Sequence, residues 1–177
     1  NGATPVAGKA GAANTAYKFN GTSNFMQVAG SATINSPTSI SMCAILKPKG
    51  FYSGTCMNNV IINKSNTTTI PGWYALNYTP EYIVACVNQD TNKNKFISYF
   101  NTSNCVGPTS NASQSVKKDS WYCVVSTYDA DTHKMYINGI LSYQCKLNTP
   151  IGSNTQDLFL GRLNNASFPY WLNAEVD

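Results

Sequence analysis

Hydrophobic and polar positions along this chain alternate with a period of two, most clearly between residues 120 and 145. Trp121 to Tyr128 is dense in β-branched and aromatic side chains, which suit a pleated surface and lose rotamer freedom in a helix. Asp129-Ala130-Asp131-Thr132 follows, supplying short polar side chains that hydrogen-bond their own backbone and reverse the chain. From Lys134 to Ile137 the alternation puts Met135 and Ile137 on one face and Lys134 and Tyr136 on the other. Asn138-Gly139 predicts a two-residue type I′ hairpin, because both residues tolerate positive φ. Ile140 to Cys145 is then the return strand of an antiparallel meander.

The same alternation predicts further strands at about 16–20, 25–29, 38–47, 59–63, 72–78, 81–87, 95–100, 157–161 and 170–177, about 12 in all with the meander. Pro, Gly, Asn and Ser separate them at short intervals, the rhythm of an antiparallel two-sheet β-sandwich. Apolar residues nowhere recur at helical spacing for three turns, so at most one short helical turn is expected. Residues 1–15 are rich in Gly and Ala and lack periodicity, which reads as an arm or linker. Residues 16–177 form a single domain, with 103–118 as the longest stretch without strand character. Trp121 opens the meander and is assigned to the core.

Several blocks carry a family resemblance. W-x-C-V-V-S-T-Y-D from Trp121, followed by K-M-Y-I-N-G to Gly139, resembles the LamG-like and pentraxin-like jelly rolls of the concanavalin A-like lectin/glucanase superfamily. Ala16 to Gly21 with Phe25 to Val28 is similar to that family's opening F-D-G-x-x-D-Y-V. Ser39 to Pro48 resembles its next strand, with Ile45 at the usual Trp. Leu158 to Arg162 resembles L-x-I-G-R, and Leu172 to Asp177 resembles F-x-G-x-I-D. The resemblance implies a jelly roll with little or no helix. Relatives usually continue a few residues further, which implies a module of a longer protein.

Composition narrows the function. Only 11% of residues are charged, and the net charge of +4 comes from scattered basic residues. No basic run is present, which argues against nucleic acid as a partner. No apolar run approaches the ~20 residues of a membrane span, which argues against insertion. Cys43, Cys56, Cys86, Cys105, Cys123 and Cys145 contain no C-x-x-C pair, and one histidine cannot complete a usual zinc set. An even cysteine count in a polar β protein predicts three disulfides and an extracellular or cell-surface, secreted location. Six cysteines allow 15 connectivities; Cys86 and Cys105 are the local pair that neighbouring strands 82–87 and 95–100, joined by the turn at 90–93, would bring together. N-x-[ST] sequons at Asn20, Asn63, Asn66, Asn77, Asn101, Asn111 and Asn165 are candidate glycosylation sites, Asn66 and Asn111 lying in the most loop-like segments.

Catalytic chemistry is sparse. The chain has eight acidic residues and one histidine, His133, read as a solvated turn residue. Glu175 and Asp177 share a strand face and echo the paired carboxylates of retaining glycosidases, but no third strand acid accompanies them. No catalytic residue is assigned, and the chain is expected not to be an enzyme. No cofactor is expected, with calcium as a candidate because the resemblance implies a rim site in some relatives. Asn20 and Asn24 replace acids of the opening motif, leaving Asp129 and Asp131, which a turn also explains.

Aromatic residues make up 12% of the chain. Flat rings stack on sugars beside Asn, Asp and Gln, so Trp73, Tyr78, Tyr170 and Trp171 are the carbohydrate-binding candidates. The primary expectation is a non-catalytic carbohydrate-binding or adhesive module of a larger secreted or surface protein, with glycans as partners. The alternative is a structural module that docks to neighbouring extracellular domains or copies in a fibre or coat. A glycoside hydrolase is a distant third.

Overall fold

The computed structural model describes residues 1–35, 38–53, 58–64, 74–78, 96–100, 115–146 and 150–177, the last four residues of 96–100 by their backbone. Within them the chain forms twelve strands and one 3₁₀ turn at Ala32–Ile34. The strands are β1 (Thr4–Val6), β2 (Ala16–Asn20), β3 (Met26–Val28), β4 (Ile40–Pro48), β5 (Asn59–Lys64) and β6 (Tyr74–Tyr78). They continue as β7 (Phe96–Phe100), β8 (Tyr122–Tyr128), β9 (Thr132–Ile137), β10 (Ile140–Lys146), β11 (Leu158–Leu160) and β12 (Asn173–Val176). The pairs are antiparallel, as the all-β jelly-roll reading requires.

Two sheets stack. One runs β1-β2-β12-β4-β8-β9-β10 and the other β3-β11-β5-β6-β7. Alternation along each strand sends every second side chain into the space between them. Phe19, Met42, Ala44, Leu46, Tyr122, Val124, Tyr128, Met135, Ile137 and Ala174 enter from the first sheet, and Ile61, Tyr74, Leu76, Tyr78 and Phe96 from the second. The hairpin turn has φ of 53° at Asn138 and 82° at Gly139, the positive values that a type I′ turn needs.

Some expectations change. Thr4–Val6, within the segment read as an arm or linker, forms β1 against β2. Trp121 lies outside the core. The alternation that buries Tyr122 turns Trp121 outward, where the Lys47 ammonium sits 5.1 Å from its ring centre. His133 is fully buried rather than solvated, because it is the second residue of β9 and lies beyond the turn. Its Nε2 meets the Ser126 hydroxyl at 3.1 Å, and Tyr143 packs edge-on against the ring. Burial pushes its pKa down to about 4. The strand expected at 81–87 and most of 103–118 lie outside the described residues.

The cysteines also depart from a three-bridge pattern. Cys43 and Cys123 are free thiols on adjacent strands β4 and β8. Cys43 stands opposite Val125 and Cys123 opposite Ile45, so the two are diagonal neighbours. Diagonal neighbours sit roughly 7–8 Å apart, beyond the Cα separation a disulfide usually spans. Burial, then the Cys123 thiol, raises the pKa of Cys43. Cys145 is disulfide-bonded. Cys56, Cys86 and Cys105 lie outside the described residues.

Candidate functional site

Residues 161–172 leave β11 and return to β12 as a closed loop at one end of the sandwich. Leu172 N–H donates to the Gly161 carbonyl at 3.0 Å, and Leu163 N–H donates to the Pro169 carbonyl at 2.7 Å. Gly161 has φ of 91°, and a Cβ there would lie 2.6 Å from the Phe19 ring, so glycine is required on both counts. At the tip, Asn165 Oδ1 accepts from Ser167 N–H at 2.9 Å and Phe168 N–H at 3.0 Å, a side-chain-closed turn.

Tyr170 takes the left-handed conformation, φ 48°. Its carbonyl is held there by Val60 N–H at 3.0 Å. This sends Tyr170 and its neighbour Trp171 into two separate aromatic groups.

The first group joins Tyr170 to Tyr52 edge-on, with ring centres 6.1 Å apart, and to Phe168 at 6.3 Å. Tyr52 is held by its N–H, which donates to Asn59 Oδ1 at 2.8 Å. Asn59 is anchored in turn through its Nδ2, which donates to the Tyr78 carbonyl. Phe168 is 39% exposed, and Tyr52 and Tyr170 are half-buried. Burial raises the Tyr170 phenol pKa, and Tyr52 adds to the effect. Tyr170 therefore keeps its hydroxyl protonated at neutral pH, beside the flat, partly open apolar faces of the group.

The second group surrounds Arg162. The guanidinium carbon lies 4.9 Å from the Trp171 ring centre, 5.1 Å from Phe25 and 5.6 Å from Phe159. Phe25 is tilted against both other rings. Arg162 Nε donates to the Leu163 carbonyl at 3.0 Å, and partial burial lowers its pKa.

The remaining candidates fall elsewhere. Tyr78 is fully buried, its hydroxyl donating to the Gly50 and Asn173 carbonyls at 3.0 and 2.9 Å, so it belongs to the core and cannot stack on a ligand. Trp73 lies outside the described residues. Asp129 Oδ1 accepts from Thr132 N–H at 2.7 Å and Asp131 N–H at 3.2 Å. Those two donors hold its carboxyl below the usual range. Asp131 accepts from the Thr132 hydroxyl at 2.8 Å and lies 3.7 Å from Lys146. Both acids thus serve the turn, and among the described residues no cluster of three or more His, Cys, Asp or Glu could hold a metal.

Glu175 and Asp177 share a face, but each is occupied. Glu175 pairs with Lys47 and lies 4.0 Å from Lys49, while Asp177 accepts from Lys9 N–H at 2.6 Å. Of the sequons, Asn63 and Asn77 are buried and closed to a glycan. Asn20 Oδ1 accepts from three successive N–H groups, Thr22 to Asn24. Asn165 sits on the exposed loop described above. Asn66, Asn101 and Asn111 lie outside the described residues.

Of the four aromatic candidates, the loop brings Tyr170 and Trp171 to one rim. Tyr52, Phe168, Phe25 and Arg162 were missed. A signal for one was present: Arg162 is the chain's only arginine, set between the β11 strand and the aromatic Phe168-Pro169-Tyr170-Trp171 run.

The family model described as concanavalin A-like lectin/glucanases superfamily matches residues 20–177. Among solved structures the chain is similar to domain 4 of AbnA, a GH43 extracellular arabinanase from Geobacillus stearothermophilus in complex with arabinotriose. That match has a TM-score of 0.62 at 13% identity and covers 99% of this chain and 74% of that one. A heptameric SAP-like pentraxin from Limulus polyphemus matches with a TM-score of 0.59 at 14% identity, covering 90% and 71%. Domains LG4-5 of the mouse laminin alpha1 chain match with a TM-score of 0.55 at 12% identity, covering 90% of this chain and 39% of that one. Identities this low establish the shared fold. No curated protein matches the chain.

Proposed function

This chain belongs to the concanavalin A-like lectin/glucanase superfamily, and we propose that it is a non-catalytic carbohydrate-binding or adhesive module of a larger secreted or surface protein. The observation that carries this reading is the rim of Tyr52, Phe168 and Tyr170, three neighbouring rings with partly open faces. Sugar rings present flat C–H faces that stack on such surfaces, and Asn164 and Asn165 lie on the same loop to meet hydroxyls. The fold is shared with a domain solved in complex with arabinotriose. Occupation of Glu175 by Lys47 and burial of His133 support a role without bond cleavage. Among the described residues no helix is long and apolar enough to cross a membrane, and a bonded Cys145 accords with an oxidising compartment.

The test is a glycan array followed by titration of the hits. Saturable binding that Tyr170→Ala abolishes supports the rim as the site. Binding that survives Tyr170→Ala and Phe168→Ala places it elsewhere.

A second reading, a structural module in a fibre or coat, rests on a different surface. Strand β10, the last of its sheet among the described residues, exposes Ile140 (64%) and Leu141 (48%), which suits docking to a neighbouring domain or copy. No saturable glycan binding, together with concentration-dependent association lost in Leu141→Lys, would favour it.

A further inference from the structure

Arg162 stands in an unusual setting. It is the only arginine among twelve basic residues, and it is half-buried between three aromatic rings. Among the described residues no carboxylate pairs with it, whereas Lys47, Lys49 and Lys146 each have an acidic neighbour. Its one hydrogen bond uses Nε, toward the Leu163 carbonyl. The two Nη groups keep four N–H donors in a plane that the rings hold fixed. Taking a cation partly out of water without a counter-charge is costly. The three ring faces offset part of that cost by attracting the guanidinium, but a ring face leaves the in-plane donors unused.

We infer that Arg162 and the ring cradle of Phe25, Phe159 and Trp171 form an anion-recognising subsite that takes the carboxylate of an acidic sugar. This rests on the carbohydrate-binding reading and gives its ligand a chemical class, the hexuronates and related sugar acids. A carboxylate matches the planar fork of two Nη groups, accepting two parallel N–H bonds. The cradle immobilises the guanidinium before the ligand arrives, so little side-chain freedom is lost on binding. Trp171 ties the two groups together: it stacks on Arg162 while its neighbour Tyr170 lies against Tyr52 and Phe168. A sugar lying on the Tyr170 group therefore has a fixed cation at the other side of the same loop.

The test uses matched pairs that differ only at the acid: oligogalacturonate with oligogalactose, oligoglucuronate with cello-oligosaccharide, and sialyllactose with lactose. At low salt, at least one acid should bind about ten- to hundredfold more tightly than its neutral partner, the effect of a hydrogen-bonded charge. Arg162→Lys, which keeps the charge and loses the fork, and Arg162→Gln should both reduce that preference to a fewfold. The lone arginine also gives one Nε–H signal in a ¹⁵N spectrum of the unmodified protein, and that signal should shift on adding the acid and stay still with the neutral sugar. This keeps the inference testable even where a variant fails to fold. Neutral partners binding as well as every acid, or acid binding with the arginine signal unmoved, would overturn the subsite and leave the carbohydrate reading standing. No binding to any of the sugars would overturn both.

Discussion

His133 Nε2 and the Ser126 hydroxyl meet at 3.1 Å in the interior, with neither residue reached by solvent. The imidazole is neutral there, because burial lowers its pKa from 6.5 to about 4. Once unfolded, the same ring binds a proton near pH 6.5. Above that pH both states are neutral and the ring adds no pH dependence. As pH falls from about 6.5 toward 4 the unfolded state takes up the proton first, so stability is lost across that window, by up to about 3 kcal/mol.

Urea midpoints between pH 7 and pH 4 measure this loss, and His133→Phe should flatten the curve above pH 4.5. Equal slopes for the variant and the parent would assign the acid sensitivity to other groups.

A second prediction concerns the hairpin tip. Asn138 Oδ1 accepts from Cys123 N–H at 2.9 Å, and Asn138 N–H donates to the Cys123 carbonyl at 2.8 Å, so the turn residue also grips the start of β8. Asn138→Ala loses the side-chain bond and strains a positive φ, costing about 1–2 kcal/mol. Asn138→Gly relieves the strain and should cost less. Gly139→Val should cost upwards of ~1 kcal/mol from φ alone, because nothing lies within 4 Å of the added Cβ. Thermal or urea unfolding of the three variants ranks them.

The thiols give a third. Alkylation of the unreduced, denatured chain should label Cys43 and Cys123, and Cys145 only after reduction. In the native protein Cys43, exposed on the outward face of β4, should react faster than half-buried Cys123. Peptide mass mapping reads both results. A Cys43–Cys123 bridge would show that β4 and β8 approach more closely than their diagonal register implies.

Much of this fold was legible in local pattern. Met135 and Ile137 face the core because period-two alternation is a backbone property, independent of the rest of the chain. The Asn138-Gly139 turn was legible for the same reason. Phase at a strand end was not: Trp121 and Tyr122 are equally apolar, and only the pairing of Tyr122 with Leu46 decides which enters the core. His133 was expected in solvent because the tight turn beside it suggested a turn residue, while its place in β9 put it inside. The rim was half legible. Tyr170 and Trp171 carried an aromatic signal, but Tyr52 and Phe25 reach them only through loop 161–172, over sequence distances that no local pattern spans.

The last prediction separates core aromatics from rim aromatics. Tyr78 and Tyr170 are the same residue type in opposite settings. The Tyr78 ring is fully enclosed, edge-on to Phe51 and Phe96, with its hydroxyl donating to two carbonyls. Burial without a charged partner raises its phenol pKa far above the ordinary value, so it is a neutral donor at every working pH. Tyr78→Phe keeps the packing and deprives the Gly50 and Asn173 carbonyls of that donor. The Asn173 carbonyl still accepts from Lys49 and Gly50 N–H, which limits the loss to about 1–2 kcal/mol. Glycan affinity should not change, since no part of Tyr78 reaches the surface. Tyr170→Ala should do the reverse. Its backbone bond to Val60 N–H survives the change, so stability should fall by less than Tyr78→Ala, which opens a core cavity worth about 3–5 kcal/mol. Affinity for any glycan bound at the rim should drop about tenfold or more, the scale of one lost stacking platform. Paired unfolding and titration of the variants decide the matter. Loss of affinity in Tyr78→Phe with Tyr170→Ala unaffected would move the binding surface off the rim and away from residues 161–172.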